Sequence, residues 1–185
     1  SKHDSKIQDF CGAELHDGTH RVGVLFADRR LLIADFTIKH GCSLPKRRFV
    51  VCETSACTSL CLASDGKSAL VNLANNEIHL WELEDASEWC DTRDELKITG
   101  TPPLGATTTS KPRVVFRFEA ASEPRPARRF VTRSCFGGAD EKFVASGDKD
   151  GRVYIWRRDS GALLKTLQGH VGGVNAVCWN PRNPF

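Results

Sequence analysis

Short alternations of apolar and polar residues recur along the chain, and helical periodicity is nowhere sustained over the length of a stable amphipathic helix. Residues 21–36 predict two strands around a polar turn at 27–30, because Val22, Val24 and Phe26 share one face of a pleat. The same alternation predicts more strands in three further segments, residues 47–54, 57–64 and 69–84. The sequence therefore predicts a mostly β fold.

The most regular hairpin covers residues 143–156, where an Asp-Gly turn separates two strands. In the second strand Val153 and Ile155 occupy one face. Tyr154 and Trp156 occupy the other, so both faces are apolar and both are expected to be covered. This pattern favours a strand inside stacked sheets.

Composition divides the chain into four segments. Residues 1–19 predict a disordered or frayed terminus, whereas residues 20–84 and 112–185 carry the strand pattern. Between them, residues 85–111 contain a run rich in Thr and Pro and are interpreted as a flexible, low-complexity insertion. Residues 112–120 keep strand character and are expected to be ordered.

The overall composition narrows the function classes. With 40% hydrophobic and 26% charged residues, the chain is expected to be packed and soluble. A net charge of +3 is too small to imply nucleic-acid binding, and no apolar stretch approaches the roughly 20 residues of a membrane-spanning helix. Eight cysteines without a closely spaced Cys-x-x-Cys pair favour reduced thiols, and hence a cytosolic or nuclear compartment.

Charge is distributed unevenly around the insertion. Residues 77–95 carry eight acids against one arginine, a net charge of −7, and residues 123–158 carry nine bases against five acids, a net charge of +4. One interpretation is a solvated acidic loop beside ordinary arginines on strand surfaces. The other is an acidic arm that contacts a basic patch, its own or that of a partner.

A repeat becomes visible when the hairpins are superposed. The aromatic residues Phe36, Trp81 and Trp156 then fall in register at intervals of 45 and 75 residues. The first interval is one repeat of about 40–45 residues, the period of a β-propeller blade, and the second is one repeat plus about 30 inserted residues. About three blades are expected in whole or in part: residues 20–84 are assigned to the first two, and residues 112–185 to the third and to the first strand of a fourth. A closed propeller has about 4–8 blades.

The chain resembles the WD-repeat β-propeller family through the sequence SGDKDGRVYIW at 146–156, a Gly-His dipeptide at 169–170 and the strand NAVCWNPRNP at 175–184. The fold class implied is an all-β, partial WD-repeat propeller with a flexible insertion. In such a blade a turn carboxylate, a strand hydroxyl, a loop imidazole and an indole N–H form a chain of hydrogen bonds. The candidate members are Ser146, Asp150, Trp156 and His170, the last of which belongs to the following repeat.

A closer resemblance covers residues 20–84 and 112–185 and is to the WD-repeat scaffold subunit of the GID/CTLH E3 ubiquitin ligase complex. Its most particular marker is SCFGGADEKFVASG at 134–147. The resemblance implies a non-enzymatic scaffold that supports assembly, or recruits substrates for proteasomal degradation. The implied partners are CTLH-type and RING-type ligase subunits and the remaining blades of the parent protein.

Partner contacts are expected at four exposed charges around the last hairpin, Lys149, Arg152, Arg157 and Arg158. Two alternatives stay open. One is a generic WD-repeat adaptor that acts in another pathway, such as RNA processing or trafficking. An RNA-binding propeller is prompted by basic residues on both sides of the insertion, Lys46, Arg47, Arg48, Arg125, Arg128, Arg129 and Arg133, although no aromatic platform is interleaved with them.

The sequence offers weak candidates for chemistry. Potential zinc ligands lie together in one stretch, His40, Cys42, Cys52, Cys57 and Cys61. They lack the paired spacing of structural zinc sites, and two ligands four residues apart in one strand lie about 13 Å apart. Cys135 with His170 as base would need an orienting residue that no motif supplies, and no phosphate-binding glycine motif is present. No catalytic, metal or cofactor site is therefore expected.

Overall fold

A computed structural model of the chain describes residues 6–37, 47–83, 90–91, 111–118 and 131–180. Within these residues the regular structure is β-strand, apart from one short 3-10 turn at Ala139–Glu141. The strands in chain order are β1 Ile7–Glu14, β2 His20–Phe26, β3 Arg30–Phe36, β4 Arg47–Cys52, β5 Cys57–Leu62, β6 Ser68–Leu73, β7 Glu77–Glu82, β8 Cys90–Asp91, β9 Val114–Arg117, β10 Cys135–Gly137, β11 Phe143–Gly147, β12 Arg152–Arg157 and β13 Leu163–Gln168.

The strands form three antiparallel sheets. The first has the order β1-β2-β3-β4-β8, the second β5-β6-β7-β9 and the third β10-β11-β12-β13. Each sheet is a meander in which a strand pairs with its predecessor, and β8 adds a two-residue strand to the outer edge of the first. The predicted all-β class and the predicted hairpins are confirmed. The arrangement is that of a partial β-propeller in which each sheet is one blade.

Apolar side chains on the facing surfaces join the sheets into a stack. One buried cluster holds Leu25 and Leu31 of the first sheet against Leu60 and Val71 of the second. A second buried cluster joins the second sheet to the third and includes Leu70, Ile78, Phe116, Tyr154 and Trp156. Burial of apolar area between sheets is therefore what holds neighbouring blades together.

The two tryptophans occupy equivalent places. Trp81 is the fifth residue of β7 and Trp156 is the fifth residue of β12, and each strand is the third of its sheet. Trp81 packs between the first and second sheets and Trp156 between the second and third. The predicted register of Phe36 is wrong by two residues, because the fifth residue of β3 is Ala34.

Residues 1–19 include an ordered strand, which corrects the prediction of a frayed terminus. Seven residues of β1 pair with β2, and Asp9 is buried and accepts a hydrogen bond of 3.0 Å from the backbone N–H of Leu60. Asp9 therefore links this strand to the second sheet. The terminal residues 1–5 lie outside the described part of the chain.

The insertion interrupts the second sheet and does not separate two blades. β9 pairs with β7, so Val114–Arg117 is the fourth strand of the second sheet. This confirms that 112–120 contains an ordered strand, and it moves that strand from the third blade to the second. Of residues 85–111, the structure describes only Cys90, Asp91 and Lys111, and the low-complexity prediction otherwise falls outside the described residues.

After β13 the chain folds back against the first strand of the third sheet. Arg133 and Ala176 form a parallel bridge, and the Arg133 N–H donates a hydrogen bond of 2.8 Å to the Asn175 carbonyl. Gly147 lies against Val174, where a side chain would collide with the neighbouring backbone. The predicted first strand of a fourth blade is thus an extended segment beside the third.

Candidate interaction surface and the networks that support it

A buried network of three polar side chains joins the first two sheets. The Glu53 carboxylate accepts a hydrogen bond of 2.6 Å from Trp81 Nε1 and lies 2.8 Å from His79 Nδ1. The exposed fractions of Glu53, His79 and Trp81 are 3%, 5% and 4%. A buried carboxylate is tolerated only where it is paired. The network therefore attaches the connection between β4 and β5 to the third strand of the second sheet.

The sequence analysis missed Glu53 and His79. In β7 the alternation of a strand puts His79 on the same face as Trp81, and this imidazole two residues before a tryptophan was an available signal. No local pattern marks Glu53, because 26 and 28 residues separate it from its two partners.

The environment of His79 favours its charged form. Burial by itself lowers the pKa of His79, but the hydrogen bond and negative charge of Glu53, together with those of Glu77, outweigh this effect and hold the pKa above its usual value. The Nε2 atom lies 3.5 Å from the Glu77 carboxylate. His79 is therefore flanked by a carboxylate at each ring nitrogen.

We expect the stability of the chain to depend on pH through His79. Because its folded pKa is raised, the stabilisation is fully present below the ordinary histidine value of about 6.5 and is lost as pH rises through the raised value. Urea unfolding from acidic to mildly alkaline pH should show a falling free energy of unfolding. His79→Gln should flatten the curve, and an unchanged curve in that variant would contradict the assignment.

The four residues predicted to form one hydrogen-bonded chain are not joined in the structure. Ser146 is buried, and its hydroxyl donates to the carbonyl of its neighbour Gly147 at 3.4 Å. Trp156 is buried among aromatic rings, whereas His170 is exposed. Asp150 is exposed at the turn. No hydrogen bond or ion pair joins any two of these four described side chains.

Asp148 is the carboxylate that organises this turn, and the sequence analysis missed it. Its side chain accepts hydrogen bonds of 2.8 and 2.9 Å from the backbone N–H groups of Asp150 and Arg152, and one of 2.8 Å from Arg152 Nε. Gly151 has a φ of 84°, which favours glycine. The tight turn is therefore fixed by Asp148 and permitted by Gly151.

The four predicted contact charges do not share one surface. Lys149 and Arg152 lie at the start of β12 and Arg157 and Arg158 at its end, so the strand separates the two pairs by about 17 Å. Lys149 and Arg157 are exposed and form no ion pair with another described residue. The four charges therefore form two patches, one at each end of β12, and their role in partner binding stays a prediction.

The other two charges are partly used inside the protein. Arg152 pairs with Asp148 at 2.8 Å. Arg158 donates to the Ser68 hydroxyl at 2.7 Å, and its guanidinium lies 4.8 Å from the centre of the Phe136 ring. Arg158 therefore connects the third sheet to the second and is less available to a partner than Arg157.

The marker segment at 134–147 supplies another link between the same two sheets. Asp140 and Glu141 both have positive φ, 55° and 52°. The Glu141 carboxylate accepts from the backbone N–H of Ser64 at 3.0 and 3.2 Å and lies 3.7 Å from Arg158. The unusual backbone of this turn is thus held by contacts that cross between blades.

The candidate chemical sites find no support among the described residues. His40 and Cys42 lie outside them, and the described part of the chain contains no group of three or more His, Cys, Asp or Glu residues placed to hold a metal ion. Burial raises the pKa of the Cys135 thiol to about 11, with smaller contributions from Cys61 and Cys178. A thiol held in its protonated form is a poor nucleophile. No described helix is long and apolar enough to span a membrane.

Comparison with known proteins identifies the repeat. The stacked antiparallel meanders define a β-propeller segment, and residues 132–157 and 161–185 match the family model "WD domain, G-beta repeat" (WD40). Over its length the chain also superposes on the computationally designed Ika4 protein with a TM-score of 0.56 and 18% identity, covering 97% of this chain and 83% of that one. This second likeness concerns the fold alone.

Curated relatives are WD-repeat proteins. A WD repeat-containing protein of Dictyostelium discoideum is 43% identical over 136 residues, 74% of this chain and 18% of that protein. The WDS homolog of Arabidopsis thaliana is 38% identical over 135 residues, covering 73% and 20%. GID complex subunit 7 of Schizosaccharomyces pombe is 36% identical over 131 residues, covering 71% and 20%.

The chain therefore carries WD40 repeats and has WD-repeat proteins as homologues. It spans about a fifth of the length of these relatives. WD-repeat domains mediate protein–protein interactions and are generally non-enzymatic scaffolds. The fold and the homologues together support a WD-repeat protein-interaction module.

Proposed function

We propose that the chain is part of a scaffold subunit of a GID/CTLH-type ubiquitin ligase complex, where it supports assembly or substrate recruitment for proteasomal degradation. The observation that carries the proposal is the 36% identity to GID complex subunit 7 of Schizosaccharomyces pombe, which extends over 71% of this chain. The proposed partners are CTLH-type and RING-type subunits and the remaining blades of the parent protein. The proposed location is the cytoplasm, together with the nucleus.

The proposed contact surface is the hairpin edge, defined by the turns at 27–29, 74–76 and 148–151. Each turn joins the second strand of a sheet to the third, so all three lie at the same edge of the stack. Arg29, Asn76 and Lys149 are exposed there. Backbone hydrogen bonds and buried clusters fix the strands behind these turns, so the edge presents its side chains from a rigid support.

The two separated patches give a matched test of this surface. We expect Lys149→Glu to reduce co-purification of ligase subunits about tenfold, the scale of a charge change at an interface. Arg157→Glu, an equal charge change at the opposite edge, should leave it unchanged. The measurement is affinity purification of the 185-residue chain from cells followed by quantitative mass spectrometry, with circular dichroism to confirm folding.

Other outcomes distinguish the proposal from its alternatives. Recovery of CTLH-type and RING-type subunits by the unmodified chain supports the ligase assignment. If a different assembly is recovered through the hairpin edge, the chain belongs to a generic WD-repeat adaptor and not to a ligase subunit. Crosslinking to RNA with strong salt dependence would favour the RNA-binding alternative. Equal effects of the two charge reversals would contradict the choice of the hairpin edge.

A further inference from the structure

The first sheet has one strand more than the other two. β4 is its fourth strand, and β8 pairs with β4 in an antiparallel register that sets Arg48 opposite Cys90 and Arg47 opposite Asp91. Among the described residues, the second and third sheets end at their fourth strands, β9 and β13. The outer edge of β4 is therefore a sheet edge that already accepts a further strand.

The hydrogen-bond ladder shows which backbone groups of β4 point outward. β3 and β4 pair without a register shift, and directly after β4 the Glu53 N–H donates a hydrogen bond of 2.9 Å to the Arg29 carbonyl. In an antiparallel ladder, residue pairs that bond each other alternate with pairs that do not. The N–H and carbonyl groups of Arg48, Val50 and Cys52 therefore point away from β3.

β8 covers only part of this edge. Its two residues pair with Arg47 and Arg48, and no described strand pairs with the outward groups of Val50 and Cys52. Val50 is half-buried and Cys52 is exposed. Backbone groups along a sheet edge are a template for pairing with another extended chain. The edge of β4 therefore has room for a strand longer than β8.

Charge indicates which kind of chain this edge prefers. β4 begins with two arginines, whereas residues 84–95, which include β8, contain six acids against one arginine, a net charge of −5. Residues of opposite charge at directly opposed positions stabilise the pairing of two strands. Arg47 and Asp91 occupy such positions. The strand that pairs with β4 in this chain is thus an example of an acidic ligand for the edge.

We propose that the outer edge of β4 binds an acidic, extended segment of a partner protein by β-strand addition, and that this segment displaces β8. The two paired residues of β8 supply few hydrogen bonds to offset the entropy lost when they are ordered, so β8 is readily exchanged. A longer segment would pair with Arg48, Val50 and Cys52 together. This inference depends on the fold and does not rest on the proposed ligase role.

The test uses a synthetic peptide with the sequence of residues 84–95, carrying Cys90→Ser and a fluorescein label, and measures its anisotropy with the full 185-residue chain. In the chain, Cys90→Pro removes the N–H that faces Arg48 and so frees the edge from β8. We expect the peptide to bind this variant at least about tenfold more tightly than the unmodified chain, where β8 competes with it.

Charge is tested on both sides of the contact, in the Cys90→Pro chain. A peptide in which the six acids are replaced by their amides should bind about tenfold more weakly, and so should the original peptide to Arg48→Glu. Lys165→Glu is the matched control, because Lys165 is exposed on the fourth strand of the third sheet and should not affect binding. Circular dichroism of all variants keeps a folding defect apart from a loss of binding.

N-methylated peptides separate strand addition from simple attraction of charges. In the register of β8, the peptide amides at positions 88 and 90 face β4, and those at 87 and 89 face away. Methylation of the first pair should abolish binding, whereas methylation of the second pair should be tolerated. Equal effects of the two methylated peptides would overturn the proposal. It would also be overturned by equal effects of Arg48→Glu and Lys165→Glu, or by an affinity that Cys90→Pro leaves unchanged.

Discussion

Replacing Trp156 with alanine lowers the free energy of unfolding by about 3–5 kcal/mol, the cost of removing a large aromatic side chain from a well-packed interior. Trp156 is 1% exposed and its ring centre lies 5.8, 5.3 and 5.5 Å from those of Phe116, Phe118 and Tyr154. Phe116 belongs to the second sheet, so the cavity opens between blades. Urea denaturation followed by circular dichroism measures the loss.

Leu164→Ala is the matched control for this prediction. Leu164 lies on β13 of the same sheet and is 45% exposed, so its removal should change stability by no more than about 0.5 kcal/mol. A Trp156→Ala variant that loses no more than Leu164→Ala would mean that the second and third sheets do not pack through this residue.

The parts of the fold that the sequence predicts are those set by local patterns. The hairpins around 27–29 and 74–76 have short apolar runs typical of strands on both sides of short polar turns, and both are present. The equivalence of Trp81 and Trp156 also follows locally, because each stands four residues after the start of its strand. The lengths of the turns and of the strands are therefore enough to place the two tryptophans at equivalent positions.

The same reasoning fails for Phe36 because an aromatic residue is not by itself a register marker. β3 extends to Phe36, two residues past the position that Trp81 holds in β7, and the equivalent residue Ala34 gives no aromatic signal. The insertion produces a similar error. The insertion lies between β7 and β9 in the sequence, but β9 still pairs with β7 and is the fourth strand of the second sheet.

The candidate site was the least predictable part, because its contacts join residues distant in sequence. Lys149 and Arg157 appear close in the chain, but a strand keeps the two ends of β12 apart. Conversely, Asp9 and Arg133 are 124 residues apart, yet their side chains lie 3.2 Å from each other. The sequence shows which charged residues are present, but the packing of the blades determines which of them come into contact.

Removal of the Glu53 carboxylate is the second change with a large expected effect. Glu53→Ala removes the carboxylate that accepts from the buried Trp81 N–H and one of the two carboxylates beside the buried His79 imidazole, and the free energy of unfolding should fall by about 3–5 kcal/mol, as for other broken buried pairs. Urea unfolding measures the change. Glu82→Ala, at a carboxylate whose side chain is 47% exposed, is the control and should cost less than about 1 kcal/mol.

Glu53→Gln separates the hydrogen bond from the charge. The amide oxygen of glutamine still accepts from Trp81 Nε1, but it no longer offers a negative charge to His79. The cost of Glu53→Gln should therefore be largest at low pH, where His79 is charged, and should shrink as pH rises through the raised pKa of His79. A cost equal to that of Glu53→Ala at every pH would show that Trp81 and His79 do not share this carboxylate.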